Sequence, residues 1–198
     1  MKIGVDLDNT LNTMCETLLS IYNEDADDDL MLSDITDYKI DTFVKPDWQD
    51  KITTYFSDDL LWNKVGTVPM CQKYVKQLLD DGHEVYIVTS SHLYDMPVKY
   101  KWIKRKFPFI DRRNIITIQD KKLLKLDVLV DDYAENLYGG NFKKILLAYP
   151  WNENAENSMR EGIVRCKDWA EIYAVISRIR CSKTKFDFEC LDCPYVNE

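Results

Sequence analysis

The sequence predicts an α/β protein: a doubly wound, Rossmann-like parallel sheet of about five strands flanked by helices, with a small helical cap inserted after the first strand. Three observations predict it. From residue 68 onward, short apolar runs alternate with amphipathic helical stretches, the pattern of a parallel sheet. The chain opens on an apolar run ending in two carboxylates, Lys2-Ile3-Gly4-Val5-Asp6-Leu7-Asp8-Asn9-Thr10-Leu11. Between that opening and Pro69 lies a stretch of short helical pieces carrying Tyr38, Phe43, Trp48, Tyr55, Phe56 and Trp62, without the later alternation.

In chain order, the first strand ends in a turn that Asn9 favours. Residues 12–22 follow as a helix, because Leu11, Met14, Cys15, Leu18, Leu19 and Tyr22 recur at helical spacing. The next segment, Asn23 to Asp29, is dense in acid and reads as a solvated loop; it lacks the glycine and terminal glutamate of a calcium-binding loop. Residues 68–81 form a helix with Pro69 suited to its first turn and Val75, Leu78 and Leu79 on one face. A strand over 84–88 ends in Thr89-Ser90-Ser91, and a helix over 96–107 stops before Pro108. Strands over 114–118, 126–130 and 144–148 follow, the second ending in Asp131-Asp132. The last helix spans 169–180. The expected organisation is therefore a catalytic core of residues 1–12 and 68–180, a helical cap of 13–67, and a Cys-containing tail of 181–198.

A chain of 198 residues, 45% hydrophobic and 12% aromatic, can bury one full-sized core. Its formal charge of −8 argues against gripping a nucleic-acid polymer through its phosphates. No apolar run approaches the roughly 18 residues of a membrane span, so no membrane partner is expected and a cytoplasmic location is. Six cysteines without a secretion signal read as reduced thiols. Cys181, Cys190 and Cys193 lie close enough in the tail to leave half of a zinc site open as an alternative. His83 and His92 have no convincing partner spacing and read as structural.

Ligands of such a sheet collect at the carboxyl ends of its strands. There the sequence delivers Asp6 and Asp8, Thr89 and Ser90, Asp131 and Asp132, and, after the strand at 114–118, Gln119-Asp120-Lys121. Carboxylates suit a hard cation, whereas hydroxyls and an ammonium suit phosphate oxygens. In an extended segment Asp6 and Asp8 point the same way, and like charges held close call for a cation or a shared proton.

The order and content of these pieces resemble the four signatures of the haloacid dehalogenase superfamily of phosphohydrolases: Asp6-Leu-Asp-Asn-Thr, Thr89, Lys121 and Val130-Asp131-Asp132. Within it the chain resembles the 5'(3')-deoxyribonucleotidases of small bacterial and phage type, over roughly residues 1–175. Thr89-Ser90 stands where those enzymes have Thr-Ser, and Pro97-Val-Lys99-Tyr-Lys-Trp102 is similar to their Pro-Tyr-Glu-Lys-Tyr-Ala-Trp segment. Ser91 departs from their Thr-Ser-Pro, and the cap shares little with theirs beyond scattered aromatics.

The resemblance implies a magnesium-dependent phosphomonoesterase acting on small molecules, in the first place (deoxy)nucleoside monophosphates, through an aspartyl-phosphate. Asp6 would be the nucleophile and Asp8 the acid and base. Mg2+ would be held by Asp6, the main-chain carbonyl of Asp8 and Asp132, with Asp131 orienting the shell. Thr89, Ser90 and Lys121 would bind phosphate, and Lys99 would add a second charge unless it lies on the exposed basic face of its helix. Tyr38, Phe56 and Met14 fall near the family's nucleobase contacts, with packing inside the cap as the alternative. Two other functions stay open on sequence alone: a phosphatase for another small phosphoester, and a signalling receiver domain that only accepts a phosphoryl group.

Overall fold

In the computed structural model, residues 1–91, 94–155 and 160–183 are described. Six strands form one parallel sheet: β1 (Lys2–Val5), β2 (Glu84–Thr89), β3 (Ile115–Thr117), β4 (Val128–Asp131), β5 (Lys143–Leu147) and β6 (Ile163–Cys166). Their order across the sheet is β3-β2-β1-β4-β5-β6, with every neighbouring pair parallel. The chain therefore builds outward from β1 in one direction, then returns past it to build in the other. This makes the gap between the ends of β1 and β4 the switch point, where a crevice opens beyond the carboxyl ends of the strands.

The sixth strand exceeds the five read from the sequence. It is an edge strand of four residues in which Val164 and Arg165 face solvent, so it lacks the continuous apolar run that marks the inner strands.

Among the described residues six helices accompany the sheet: α1 (Met14–Ala26), α2 (Gln49–Ile52), α3 (Asp59–Lys64), α4 (Cys71–Asp80), α5 (Met96–Lys106) and α6 (Trp169–Lys183). Val75 and Leu78 of α4, Val98, Trp102 and Ile103 of α5, and Ile172 and Ile176 of α6 share one apolar cluster with alternate residues of the sheet, among them Ile3, Val5, Val128 and Val130. The opposite face is covered by the segments after β3, β4 and β5, which bring Leu126, Ala134, Leu137 and Phe142 onto Leu129 and Leu146. Among the described residues those segments form only short 3-10 turns. The α4 helix begins at Cys71, not at Val68. Met70 precedes it in the left-handed region at φ 64°, so Pro69 lies outside the first turn.

Residues 13–67 leave the sheet after β1 and return before α4. Where they leave and return, the two connecting strands are tied together: Asn12 bridges Thr67, the Thr13 amide donates to the Gly66 carbonyl at 3.2 Å, and the Val68 amide donates to the Leu11 carbonyl at 3.0 Å. Much of the inserted segment consists of short 3-10 turns, and its buried Ile52, Leu61, Trp62 and Val65 merge with the apolar cluster of the sheet. Trp102 of α5 is one tie between the insertion and the sheet. Its indole N–H donates to the Val65 carbonyl at 3.0 Å, and its ring meets that of Trp62 edge-on, with centroids 6.2 Å apart.

Among the described residues Cys15, Cys71 and Cys166 are buried free thiols. The tail cysteines 190 and 193, the side chain of Cys181 and His92 lie outside the described residues. His83 sits before β2, its ring nitrogen 3.4 Å from the amino terminus, at the opposite end of the sheet from the strand ends that carry the carboxylates. Among the described residues no helix is long and apolar enough to cross a membrane. Because Trp102 joins the insertion to the sheet, Trp102→Ala should destabilise the fold by about 3 to 5 kcal/mol, read as a lowered urea midpoint. An unchanged midpoint would show that the two parts are held together elsewhere.

Candidate active site

The carboxyl end of β1 sets the geometry. The Asp6 amide extends the ladder by donating to the Val130 carbonyl at 2.9 Å, so the residues after β1 and β4 stay side by side. Leu7 is fully buried in the core, and the alternation of an extended chain turns Asp6 and Asp8 away from it. The chain then folds back through Asn9 at φ 57°, a conformation that asparagine tolerates better than most residues. The side chain of Asn9 spans the site: its Oδ1 accepts from the Cys15 amide at 2.8 Å, and its Nδ2 donates to Asp132 Oδ2 at 3.3 Å.

Asp6, Asp131 and Asp132 bring one carboxylate oxygen each within 4.8 Å of the others, all buried. Lys121, fully buried in a short turn after β3, donates to Asp6 and, at 2.7 Å, to Asp131 Oδ2. Burial alone would favour discharge of this ammonium, but Asp131 and Asp6 outweigh it and hold its pKa above the ordinary lysine value. One ammonium does not neutralise three carboxylates. Burial pushes Asp6 up to about 7 against the pull of Lys121, with Asp131 and Asp8 adding to the rise. Asp132 is likewise raised, by burial first and then by Asp6 and Asp131.

The donor set fits a hard divalent cation. Both oxygens of Asp131 are already engaged, by Lys121, the Tyr133 amide at 3.0 Å and the Asn136 amide nitrogen at 3.1 and 3.2 Å. Asp6 and Asp132 keep free coordination capacity, since each accepts from a single side chain. They are thus the carboxylates placed to ligate, while Asp131 is held as a fixed second layer.

The remaining predicted residues come together around Asp8. Lys99 faces inward and is 4% exposed; it donates to Asp8 Oδ2 at 2.5 Å and to Thr89 Oγ1 at 3.2 Å. Its neighbours Lys101 and Arg105 turn outward to Asp59 and Asn63, so the basic character of α5 is split between a buried site and a surface. The Ser90 hydroxyl donates to the Ile118 carbonyl at 3.1 Å. A cavity of about 600 Å³ opens over this group, with Asp8, Ser90 and Lys99 in its wall together with Met14, Tyr38 and Phe56. Asp6, Lys121 and Asp132 do not reach that wall.

Tyr38 stacks on Tyr133, centroids 3.9 Å apart and planes 20° apart. Although 44% of the residue is exposed, burial of its phenol, reinforced by Asp132, Asp6, Asp131 and Asp8, raises the pKa well above the tyrosine range. Cys15 also lines the cavity, but burial lifts its thiol to about 12, leaving it a neutral apolar wall.

Several residues of the site escaped sequence reasoning. Asn12, fully buried, donates to Asp8 Oδ1 at 2.9 Å. Trp151 and Asn152 donate to the Asp132 carbonyl at 3.2 and 2.7 Å. The signal available for the last two was their position: Tyr149-Pro150-Trp151-Asn152 follows β5, at the same sheet end as the carboxylates.

Known proteins resemble this chain in sequence and in fold. The family model described as "5' nucleotidase, deoxy (Pyrimidine), cytosolic type C protein" matches residues 1–183. A 5'(3')-deoxyribonucleotidase of Clostridium acetobutylicum is 34% identical over 178 residues, covering 90% of this chain and 96% of its own. One from Bacillus subtilis is 28% identical over 172 residues, covering 86% and 95%. Among solved structures, a haloacid dehalogenase-like protein of Agrobacterium tumefaciens superposes with a TM-score of 0.62 at 11% identity, over 90% of this chain and 98% of that one. A family hydrolase of Deinococcus radiodurans with bound phosphate and sodium gives 0.59 at 16% identity, over 89% and 95%. These structural likenesses speak to the fold.

The unbalanced carboxylates predict that a divalent cation stabilises the protein. Saturating magnesium, at about 100 times its dissociation constant, should add roughly 2.7 kcal/mol, seen as a higher thermal midpoint that a chelator reverses. Asp132→Asn should lose most of this gain. No cation-dependent shift in the unmodified protein would mean that Lys121 alone balances the cluster.

Proposed function

Because the chain belongs to the cytosolic type C deoxy-5'-nucleotidase family of the haloacid dehalogenase superfamily, phosphoric monoester hydrolases, we propose that it is a magnesium-dependent 5'(3')-deoxyribonucleotidase. On this reading it removes phosphate from (deoxy)nucleoside monophosphates through an aspartyl-phosphate, in the cytoplasm. The observation that carries the proposal is the shared cavity, where the Asp8, Lys99 and Ser90 end meets Met14, Tyr38 and Phe56 in a space of about 600 Å³. Pockets of a few hundred cubic ångströms, largely apolar with a few convergent polar groups, suit a small ligand.

In this reaction Asp6 attacks phosphorus and the phosphorus–oxygen bond to the nucleoside breaks. Asp8 gives a proton to the departing alkoxide. Water then attacks the aspartyl-phosphate, giving a proton to Asp8, and inorganic phosphate leaves with Asp6 restored. Lys121 fixes Asp6 and supplies charge beside it. Lys99, which holds Asp8 and Thr89, offers its ammonium to the incoming phosphate, and Thr89 and Ser90 offer hydroxyl donors. Magnesium, held by Asp6, Asp132 and the Asp8 carbonyl and framed by Asp131, would offset the repulsion between carboxylate and phosphate.

Residues 13–67 act in this proposal as a cap that selects the substrate. Met14 forms an apolar wall, and Phe56 and the free face of Tyr38 offer stacking surfaces for the base. A phosphatase for another small phosphoester differs only in what the cap accepts. A phospho-accepting receiver is set aside by membership of a hydrolase family.

Two outcomes test the proposal. Phosphate release from deoxynucleoside monophosphates should vanish in Asp6→Asn and fall about 10²-fold or more in Asp8→Asn; appreciable turnover by Asp6→Asn would rule out the covalent route. Stacking on one ring is worth roughly 1 to 3 kcal/mol. Phe56→Ala should therefore cut kcat/KM for nucleotides by about 5- to 150-fold while hydrolysis of a small phosphoester without a nucleobase changes little. Equal losses on both substrates, with the fold intact, would make the cap a structural element.

A further inference from the structure

We propose that Asn12 is a positioning residue that presents one chosen oxygen of Asp8 to the reaction. The inference rests on the reading of Asp8 as acid and base given above. Asn12 has no surface exposed to solvent. Its Oδ1 accepts two main-chain N–H groups, from Asn9 at 3.0 Å and from Met14 at 3.1 Å. Those two donors settle which way the amide lies, because an NH2 group in that place would face two N–H groups and accept neither. The Nδ2 group is therefore obliged to point to the other side, where it donates to Asp8 Oδ1 at 2.9 Å.

The consequence follows from counting partners. Asp8 Oδ1 is held by a neutral, buried amide with no freedom to turn away. Asp8 Oδ2 is held by Lys99, whose ammonium also contacts Thr89 and lies in the cavity wall. A phosphate entering the cavity competes for that ammonium, whereas nothing entering it competes for Asn12. Oδ2 is thus the oxygen that is released to face the leaving group, and Asn12 keeps the carboxylate from rotating as Lys99 lets go. Orientation of this kind governs rate: a displacement of about 1 Å can cost on the order of 10²-fold.

Asn12 also lies where the insertion departs, since its backbone bridges Thr67 on the returning strand. Its side chain therefore links the crossing of the two connecting strands to the acid/base group.

Asn12→Asp separates positioning from scaffolding. An aspartate there still accepts both main-chain N–H groups but turns an oxygen, not a donor, towards Asp8. With a deoxynucleoside monophosphate, kcat should fall about 10- to 100-fold while KM stays within about threefold. With p-nitrophenyl phosphate, whose leaving group needs little protonation, formation of the phosphoenzyme should stay fast while its breakdown slows. A rapid burst of nitrophenolate approaching one equivalent per enzyme should then appear, larger than in the unmodified protein. If Asn12→Asp does not fold, Asn12→Ala is read in the same assay, since it removes the donor and adds no charge. A folded variant with unmodified kcat and no burst would overturn the proposal, as would a loss confined to KM or thermal midpoint. Asp8→Asn run alongside distinguishes the two failures: if it turns over normally, the reading of Asp8 is at fault, and if it is inactive while Asn12→Asp is normal, only the role of Asn12 is.

Discussion

One buried ammonium allows this site to exist. Lys121 lies between Asp6 at the end of β1 and Asp131 at the end of β4, with no exposed side-chain surface. Two neighbouring parallel strands deliver their carboxylates to the same place because the ladder runs on from Val5 to the Asp6 amide. Without a cation among them, the ends of β1 and β4 would repel each other in a poorly solvated setting. Lys121 offsets part of that repulsion and leaves the rest, visible in the raised Asp6 and Asp132 carboxyls. The residual imbalance favours a further positive charge at the cluster.

The fold around this interaction follows from the order of the strands. Because the sheet reverses direction at β1, the ends of β1 and β4 share a crevice that no crossover segment fills. Nucleophile candidate, ammonium and metal-ligand candidates occupy its floor, while Asp8, Lys99 and Ser90 rise into the cavity above. The insertion closes over that cavity from the far side of the crevice, anchored by Trp102 and tied at its root by the pairing of residues 11–13 with 66–68. The sheet and the insertion thus share one apolar cluster, and both contribute to the wall of the cavity between them.

Much of this was legible in the sequence, and the reasons are particular. Asp6, Asp8, Thr89, Asp131 and Asp132 stand at or just after the points where continuous apolar runs stop, and Lys121 in the turn after β3, so pattern placed them at one end of the sheet and the family resemblance suggested their roles. The sixth strand was not legible because an edge strand buries one side only and Arg165 interrupts its apolar run. The start of α4 was misplaced because Pro69 suits a first helical turn, while the left-handed Met70 that delays the helix leaves no mark in composition. Asn12 was invisible for a different reason: its importance lies in three side-chain hydrogen-bond directions, and a single asparagine after a strand is ordinary turn chemistry. The inward turn of Lys99 was undecidable among the many basic residues of α5 until packing showed which side meets the sheet.

The account stands on Asp6 carrying the phosphoryl group. The most direct measurement is to quench the protein during turnover of a deoxynucleoside monophosphate, reduce the trapped acyl phosphate with borohydride, and map the resulting homoserine by peptide mass spectrometry. Asp8→Asn, supplied with p-nitrophenyl phosphate, whose leaving group needs little protonation, would be used in parallel to let the intermediate accumulate. The account predicts homoserine at residue 6, in greater yield in that variant. Active turnover with residue 6 unmodified in every trapped sample, or modification at Asp131 or Asp132 in its place, would contradict it.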